Sequence, residues 1–409
     1  MSGFAVVVGL CIIGLLAVVL LYRESLLRTW KICVLSVFLA LAAMLIRGLL
    51  FGFESNDYIY FLSDWMQHFR EHGIVGLRYP VGNYHAPYLY FLSLFSYLPV
   101  RDLYLIKLLS VLFDVILAFY VMRLAGLFTE SDRLKLTAFF GILFLPTLVL
   151  NGAMWGQCDS IFTAFAVASV YYALTKRPYL SVVMIALSFA FKLQAIFLMP
   201  LFFIFLVKKV MRIRHLLVFV PTYLAAVLPA ILLGRAPIET IFFYFYQVET
   251  VGRHLTNNAP SIFMLTVPFN LNNTVPSWLI YSGISVTFSL IFGFYAVTCR
   301  PRFVLTQERV LIGAFLFALG MPFFLPHMHE RYFIIGEVFA VALAVADRKK
   351  LILVPLTQFA TLLGYHFYFS DALERVIPLQ WGMLAMGLSL LIAARGMRKS
   401  NSPDVRERT

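Results

Sequence analysis

Several short stretches hold side chains suited to acid–base or phosphate chemistry. Asn56-Asp57-Tyr58 sets a carboxylate just past an apolar run. There it can take a proton from a hydroxyl nucleophile within hydrogen-bond reach. The position equally suits a helix cap, with Ser55, Asn56 or Asp57 as the capping residue. Asp64 follows seven residues later, about two helical turns on, either on the same face as Asp57 or as a solvated carboxylate. The densest cluster is Pro326–Phe333, PHMHERYF. It gathers His327, His329, Glu330 and Arg331 at an expected helix start. A guanidinium offers forked donors that match phosphate, and a helix N-terminus favours an anion. His327 and His329 with an outer aspartate could hold zinc. No third ligand is marked by local spacing, so a metal ranks below phosphate, and a satisfied interfacial group is the bland alternative.

Other candidates are spread between these two. His85 in YHAPY can contact a ligand phosphate or serve the fold. Gln157 and Asp159 in WGQCDS stand at a membrane edge, where Asp159 can bind hydroxyls, orient another group or start a helix. Trp155 is ordinary at such an edge. Lys192 and Gln194 in FKLQ interrupt an apolar stretch. A lysine there is costly unless it snorkels or is paired, so Lys192 is a candidate for phosphate, with an ion pair to Asp114 as the alternative. Lys107, seven residues before Asp114, is a second partner for that deep acid. The polar stretch QVETVGRHLTNNAP, with Gln247, Arg253, His254, Asn257 and Asn258, either closes over a substrate or simply connects two spans.

The elements that must position these residues are apolar helices. Of 409 residues, 61% are hydrophobic and 13% charged, against about 25% charged in soluble domains. The chain is therefore expected to be an all-α integral membrane protein. Apolar runs near 3–22, 32–52, 103–126, 134–151, 157–174, 178–192, 195–207, 215–234, 277–298, 307–325, 331–347, 350–367 and 376–394 predict about 11–13 spans on a length criterion of about 20 residues each. Phe4–Leu21 lacks a basic flank and reads as a retained helix. The net charge of +13 is spread over short loops, which fits the positive-inside rule and not a nucleic-acid surface. The four cysteines show no pairing pattern. Alternate loops then sort by charge alone. Short Lys/Arg-rich loops fall on the cytoplasmic side, and the 53–100 loop, Asn151–Gln157, Phe191–Gln194, 234–276, 326–330 and 370–378 fall outside. The 53–100 segment is expected to be a helical loop on the outer membrane face.

In order along the chain stand NDY, YHAPYLYFLSLFSYLP, NGAMWGQCDSIF, SFAFKLQAIFLMP, LTNNAPSIF and LPHMHERYF. This ordered set resembles bacterial GT-C fold glycosyltransferases of the family-87 and GPI-mannosyltransferase-related type. The resemblance implies a membrane hexosyltransferase using a polyprenyl-phosphate sugar, with mannose suggested by the likeness, and a glycan or glycolipid acceptor. It implies a bacterial inner membrane, an extracytoplasmic active site, and no cofactor. By likeness Asp57 matches the catalytic acid of the first outer loop. His329, Glu330 and Arg331 match the late motif, with Arg331, His329 and Lys192 on the donor phosphate. Asp64, His85, Gln157, Asp159, Gln194, Gln247, Asn258, His327 and Glu330 are expected around the substrates. The implied organisation is an added helix and loop over 1–31, a catalytic membrane domain over 32–398 and a disordered cytoplasmic tail over 399–409. A lipid-linked sugar flippase and an O-antigen polymerase or ligase remain the alternatives.

Overall fold

A computed structural model describes residues 2–248, 254–370 and 376–397; the expected tail at 399–409 and Arg253 lie outside them. The described residues are mostly helical, and their strands are the two-residue pieces Thr256–Asn257 and Met328–His329. Among the described residues seven helices are long and apolar enough to cross a bilayer: Gly3–Arg23, Trp30–Leu50, Asp102–Ala125, Ile213–Leu232, Ser277–Thr298, Gln307–Phe324 and Arg348–Phe369. An eighth arises if Asp132–Leu143 and Pro146–Trp155, bent by 43°, form one broken span. The protein is thus an all-α polytopic membrane protein, and of the 11–13 expected spans seven or eight meet a full-crossing criterion of length and apolarity among the described residues. Several apolar runs fold as shorter helices, among them Asp159–Leu174 and Pro178–Phe191. At about 1.5 Å rise per residue, 16 residues reach roughly 24 Å, short of a hydrocarbon core of about 30 Å.

The chain forms two compact units. The first comprises Met1–Ala168, Val183–Leu193 and Val218–Gln247; the second comprises Ser169–Val182, Gln194–Leu217 and Val248–Thr409.

In the first unit the Gly3–Arg23 helix packs on both the Trp30–Leu50 and Asp102–Ala125 helices. Gly9 makes this possible, since a Cβ there would stand 2.8 Å from Leu108; small residues let membrane helices approach closely. The deepest fixed point is an ion pair. Arg47 and Asp114 are both fully buried, with guanidinium and carboxylate 2.9 Å apart. Arg47 also donates to the Leu143 carbonyl at 2.8 Å, and Ser160 donates to the other carboxylate oxygen. Four helices therefore meet at one pair of charges. Lys107, expected beside Asp114, instead donates to the carbonyls of Leu50, Phe51 and Phe53. It satisfies acceptors that the end of the Trp30–Leu50 helix leaves without partners.

The 53–100 segment is helical as expected, with turns or helices over Tyr58–Leu62, Ser63–His72, Gly73–Arg78 and Ala86–Phe95. Arg70 closes it. Its guanidinium pairs with Asp102 and donates to the carbonyls of Ser96 at 3.1 Å and Val100 at 3.1 Å. Gly82 has φ +62, and a Cβ there would lie 2.0 Å from the Trp65 ring, so only glycine fits that turn.

In the second unit the Gln307–Phe324, Ile334–Ala346, Leu353–Phe369 and Gln380–Gly396 helices pack together, with Ser277–Thr298 against the first of them. Two residues, Thr256–Asn257, pair in parallel with Met328–His329. This short ladder joins loops about seventy residues apart in sequence.

Removing one member of a buried pair leaves a charge without its partner, which costs about 3–5 kcal/mol, whereas replacing both with apolar residues is far milder. Arg47→Met is therefore expected to lower unfolding stability in detergent by that order, and Arg47→Met with Asp114→Leu to recover most of it. A single variant as stable as the unchanged protein would remove the pair from its structural role.

Candidate functional site

The site of the first unit is built on a break in the backbone. The Asp132–Leu143 helix stops, Pro146 starts a short helix, and Leu150–Trp155 forms a wide π turn. Gly156 then takes the left-handed conformation at φ +81, and regular helix resumes at Asp159. Such a break leaves carbonyls and amides without intrahelical partners, and they must be satisfied locally. The Gln157 amide donates to Asn151 O at 3.0 Å. Ser55 Oγ donates to Trp155 O and Ser110 Oγ to Gln157 O, each at 2.7 Å.

The side chains of this break then converge. Trp155 Nε1 donates to Asp57 Oδ2 at 3.0 Å, and Gln157 Nε2 donates to the same oxygen. Tyr84 Oη donates to Gln157 Oε1 at 2.9 Å. Asn151 Nδ2 donates to Asp159 Oδ2 at 2.9 Å, and Lys192 forms an ion pair with Asp159 Oδ1. The Lys192 ammonium lies 5.2 Å from the Tyr84 ring centre. Asp57 is half-buried while Asn151, Trp155, Gln157, Asp159 and Lys192 are buried. One polar network thus runs from the Asp57 carboxylate through Gln157 to Tyr84, beside the Asn151–Asp159–Lys192 set.

The capping question at Asn56-Asp57 also resolves. Ser55 Oγ accepts from the Tyr58 amide at 3.3 Å, and the Asp57 side chain makes no cap bond. Asp64 is exposed. The Tyr58–Leu62 segment is a π turn, so seven residues no longer complete two α-helical turns and the two carboxylates do not share a face. Lys192 pairs with Asp159 and not with Asp114, which corrects that expected partner.

His85 is placed differently from the expectation that it meets substrate. It is buried, with Nδ1 3.0 Å from Ala190 O and Nε2 3.0 Å from Thr240 O, between the Tyr223 and Tyr244 rings. Burial lowers its pKa to about 4, opposed by the Thr240 carbonyl and reinforced by the charge of Arg235. Two carbonyls face the ring, of which a neutral imidazole can donate to only one, and these contacts tie the loop to the 218–247 segment, as the structural alternative required. Gln247 donates to Asn83 O at 2.8 Å, next to Tyr84 in sequence.

In the second unit the late motif and the LTNNAP loop come together. His327 Nδ1 lies 2.7 Å from His254 O, and the His327 amide donates to Leu255 O at 2.7 Å. Asn258 bridges to His329. His327 and Asn258 both take left-handed backbone, at φ +63 and +52. Helix Leu353–Phe369 presses on this pair of loops, since a Cβ on Gly364 would be 2.6 Å from Asn258 O and 2.7 Å from Glu330 Cβ. Glu330 is buried, and His329 and Arg331 are partly exposed, with Arg331 6.0 Å from the Tyr332 ring centre. Gln194 also belongs to this unit, in the Leu193–Leu198 turn. Gln247 and Asn258, read as one loop, fall in different units. Among the described residues no three His, Cys, Asp or Glu side chains gather as a metal site would need.

No protein-family model and no curated protein matches the chain.

Asn151, Tyr84 and Trp155 are the network members that sequence reasoning did not single out. Trp155 offered a signal: a tryptophan between two glycines, at a helix break, two residues from a glutamine. An indole N–H that is buried needs an acceptor, and Asp57 is that acceptor.

The His85 environment sets a pH dependence. Its folded pKa lies near 4, against about 6.5 when exposed. Below about 6.5 the unfolded chain takes up a proton that the folded chain does not, so stability falls with pH until about 4. His85→Gln is expected to flatten this part of an unfolding-versus-pH curve measured in detergent. An unchanged slope between pH 6.5 and 4 would contradict the assignment of a buried neutral ring.

Proposed function

We propose that this chain is an integral membrane glycosyltransferase of the GT-C type. It transfers a hexose, with mannose suggested by the likeness, from a polyprenyl-phosphate donor to a glycan or lipid-linked acceptor on the extracytoplasmic face of the inner membrane. The observation that carries this reading is the Asp57 carboxylate, half-buried where a membrane-length helix gives way to the loop helices and held at Oδ2 by Trp155 and Gln157. A carboxylate fixed by two side-chain donors is pre-oriented, as a general base must be.

Asp57 removes the acceptor hydroxyl proton as that oxygen attacks the anomeric carbon. The bond from this carbon to the phosphate oxygen breaks on the opposite face, which inverts the configuration. The electron pair departs with the lipid phosphate. The resemblance, not the geometry, gives Arg331 and His329 as donors to that phosphate, where negative charge develops. Lys192, held by Asp159, contributes a fixed positive charge.

One feature favours a second reading, a flippase for a lipid-linked sugar. The 43° bend between Asp132–Leu143 and Pro146–Trp155 is the kind of broken helix that transporters use at their binding sites. The two readings separate in purified protein. The transferase moves radiolabelled hexose from a polyprenyl-monophosphate sugar to acceptor, while a flippase only moves the intact lipid across vesicles.

Asp57→Asn is expected to abolish transfer while leaving membrane insertion and thermal unfolding near those of the unchanged protein. Arg331→Gln is expected to lower kcat by about 100-fold, the usual effect of deleting one such donor. Full transfer by Asp57→Asn protein would exclude this base.

A further inference from the structure

The second unit holds a cleft of about 570 Å³. Helix Gln307–Phe324 is its floor, and helices Ser277–Thr298 and Gln380–Gly396 are its walls. Both walls run antiparallel to the floor. At one end Arg309 Nε donates to Met397 O at 3.0 Å, and Phe294 meets Phe317 with ring centres 4.9 Å apart. At the other end a Cβ on Gly283 would stand 2.8 Å from Phe324 O, and one on Gly387 would stand 3.6 Å from the Phe323 ring. The single hydroxyl among the lining residues, that of Thr287, is spent on Gly283 O at 2.8 Å. The cleft therefore suits hydrocarbon. Its lining residues Leu290, Leu384 and Leu388 are exposed, so it opens to the surrounding lipid. Left unfilled, the lining would forfeit its dispersion contacts.

One end of the cleft is cationic. Arg395 directly follows the lining residue Ala394 and is exposed. Arg300 and Arg302 are exposed on the loop that joins the other wall to the floor. Among the described residues none of these three forms an ion pair. Arg309 stands in the first turn of the floor helix, whose N-terminus favours an anion. Glu308, beside it in sequence, is already paired with Lys350. The lining residues of the opposite end, Ile262, Phe324 and Met383, have no charged residue within two positions.

We propose that this cleft binds an anionic phospholipid, with one acyl chain along the apolar walls and the phosphate at the arginine-rich end. By the positive-inside rule that end is cytoplasmic, and basic sites between membrane helices on that side recognise anionic head groups. The bound chain packs against Ser277–Thr298, most of which protein leaves uncovered. A polyprenyl phosphate held for transfer fits this end poorly, because the late motif follows Phe324 at the opposite end of the floor helix. The proposal does not depend on the transferase reading.

The test uses the full chain, purified and delipidated in an uncharged detergent. Thermal unfolding is followed while dioleoyl phosphatidylglycerol, dioleoyl phosphatidylcholine or undecaprenyl phosphate is titrated in. Phosphatidylglycerol is expected to raise the midpoint saturably, with an apparent affinity about fivefold or more above that of phosphatidylcholine. Arg302→Gln combined with Arg395→Gln is expected to weaken phosphatidylglycerol by about tenfold or more. Gly387→Leu, which puts a side chain into the cleft, is expected to weaken it as much with both arginines in place. If Gly387→Leu protein does not fold, the arginine variant carries the test, because both of its side chains are exposed. No saturable rise in the unchanged protein, equal affinity for the two phospholipids, or an unchanged affinity in either variant overturns the proposal. So does a rise with undecaprenyl phosphate that Gly387→Leu removes and the arginine variant keeps, which gives the cleft to a prenyl chain. Binding is read without any transfer assay, so failure here and failure of the transferase reading are distinguishable.

Discussion

Within the first unit, the helix break between Leu143 and Asp159 must find partners for its own polar groups, because a lipid environment supplies none. Asn151, Ser55 and Ser110 close the backbone. Their contacts fix where the Trp155 and Gln157 side chains point, and those side chains hold Asp57. The same break starts the helix that carries Asp159 and Ser160, which bind Lys192 and Asp114. Structural demands and the proposed chemistry therefore meet in one segment of about fifteen residues. A substitution there that spares the fold would still move the carboxylate.

The charges follow one logic. Arg47 is matched by Asp114, Lys192 by Asp159, and Lys107 by three helix-end carbonyls. Each arrangement costs desolvation that good geometry offsets, and each ties helices together that apolar packing alone would let slide. Membrane helices gain little from hydrophobic association, so such contacts and close small-residue packing set their register.

Much of the fold class was legible in the sequence, because long apolar runs and Lys/Arg-rich loops have direct physical causes. The span count was not. Apolar composition does not distinguish a full crossing from a short buried helix such as Asp159–Leu174, and only length in three dimensions does. Asp57, Gln157, Asp159 and Lys192 were all recognisable from residue type at a membrane edge, and one network holds them. Their partners were not recognisable, because pairing between distant helices leaves no local pattern. Arg47 sits inside an apolar run and reads as part of a span. The basic partners that the sequence offered for Asp114 were Lys107 and Lys192. His85 shows the opposite failure: a histidine among aromatics reads as a ligand group, yet it is buried against the Ala190 and Thr240 carbonyls and the Tyr223 hydroxyl within the fold. The π turn at Tyr58–Leu62 separated Asp64 from Asp57, and π turns have no dependable sequence signal.

The most direct test of Asp57 as base is a structure of the protein with a non-transferable polyprenyl-phosphonate hexose and an acceptor bound together. The account predicts the acceptor hydroxyl within about 2.6–3.2 Å of an Asp57 carboxylate oxygen, aimed at the anomeric carbon, with the bonds from Trp155 and Gln157 intact. An acceptor hydroxyl seated against a different carboxylate, or a donor bound with its anomeric carbon far from Asp57, would contradict it.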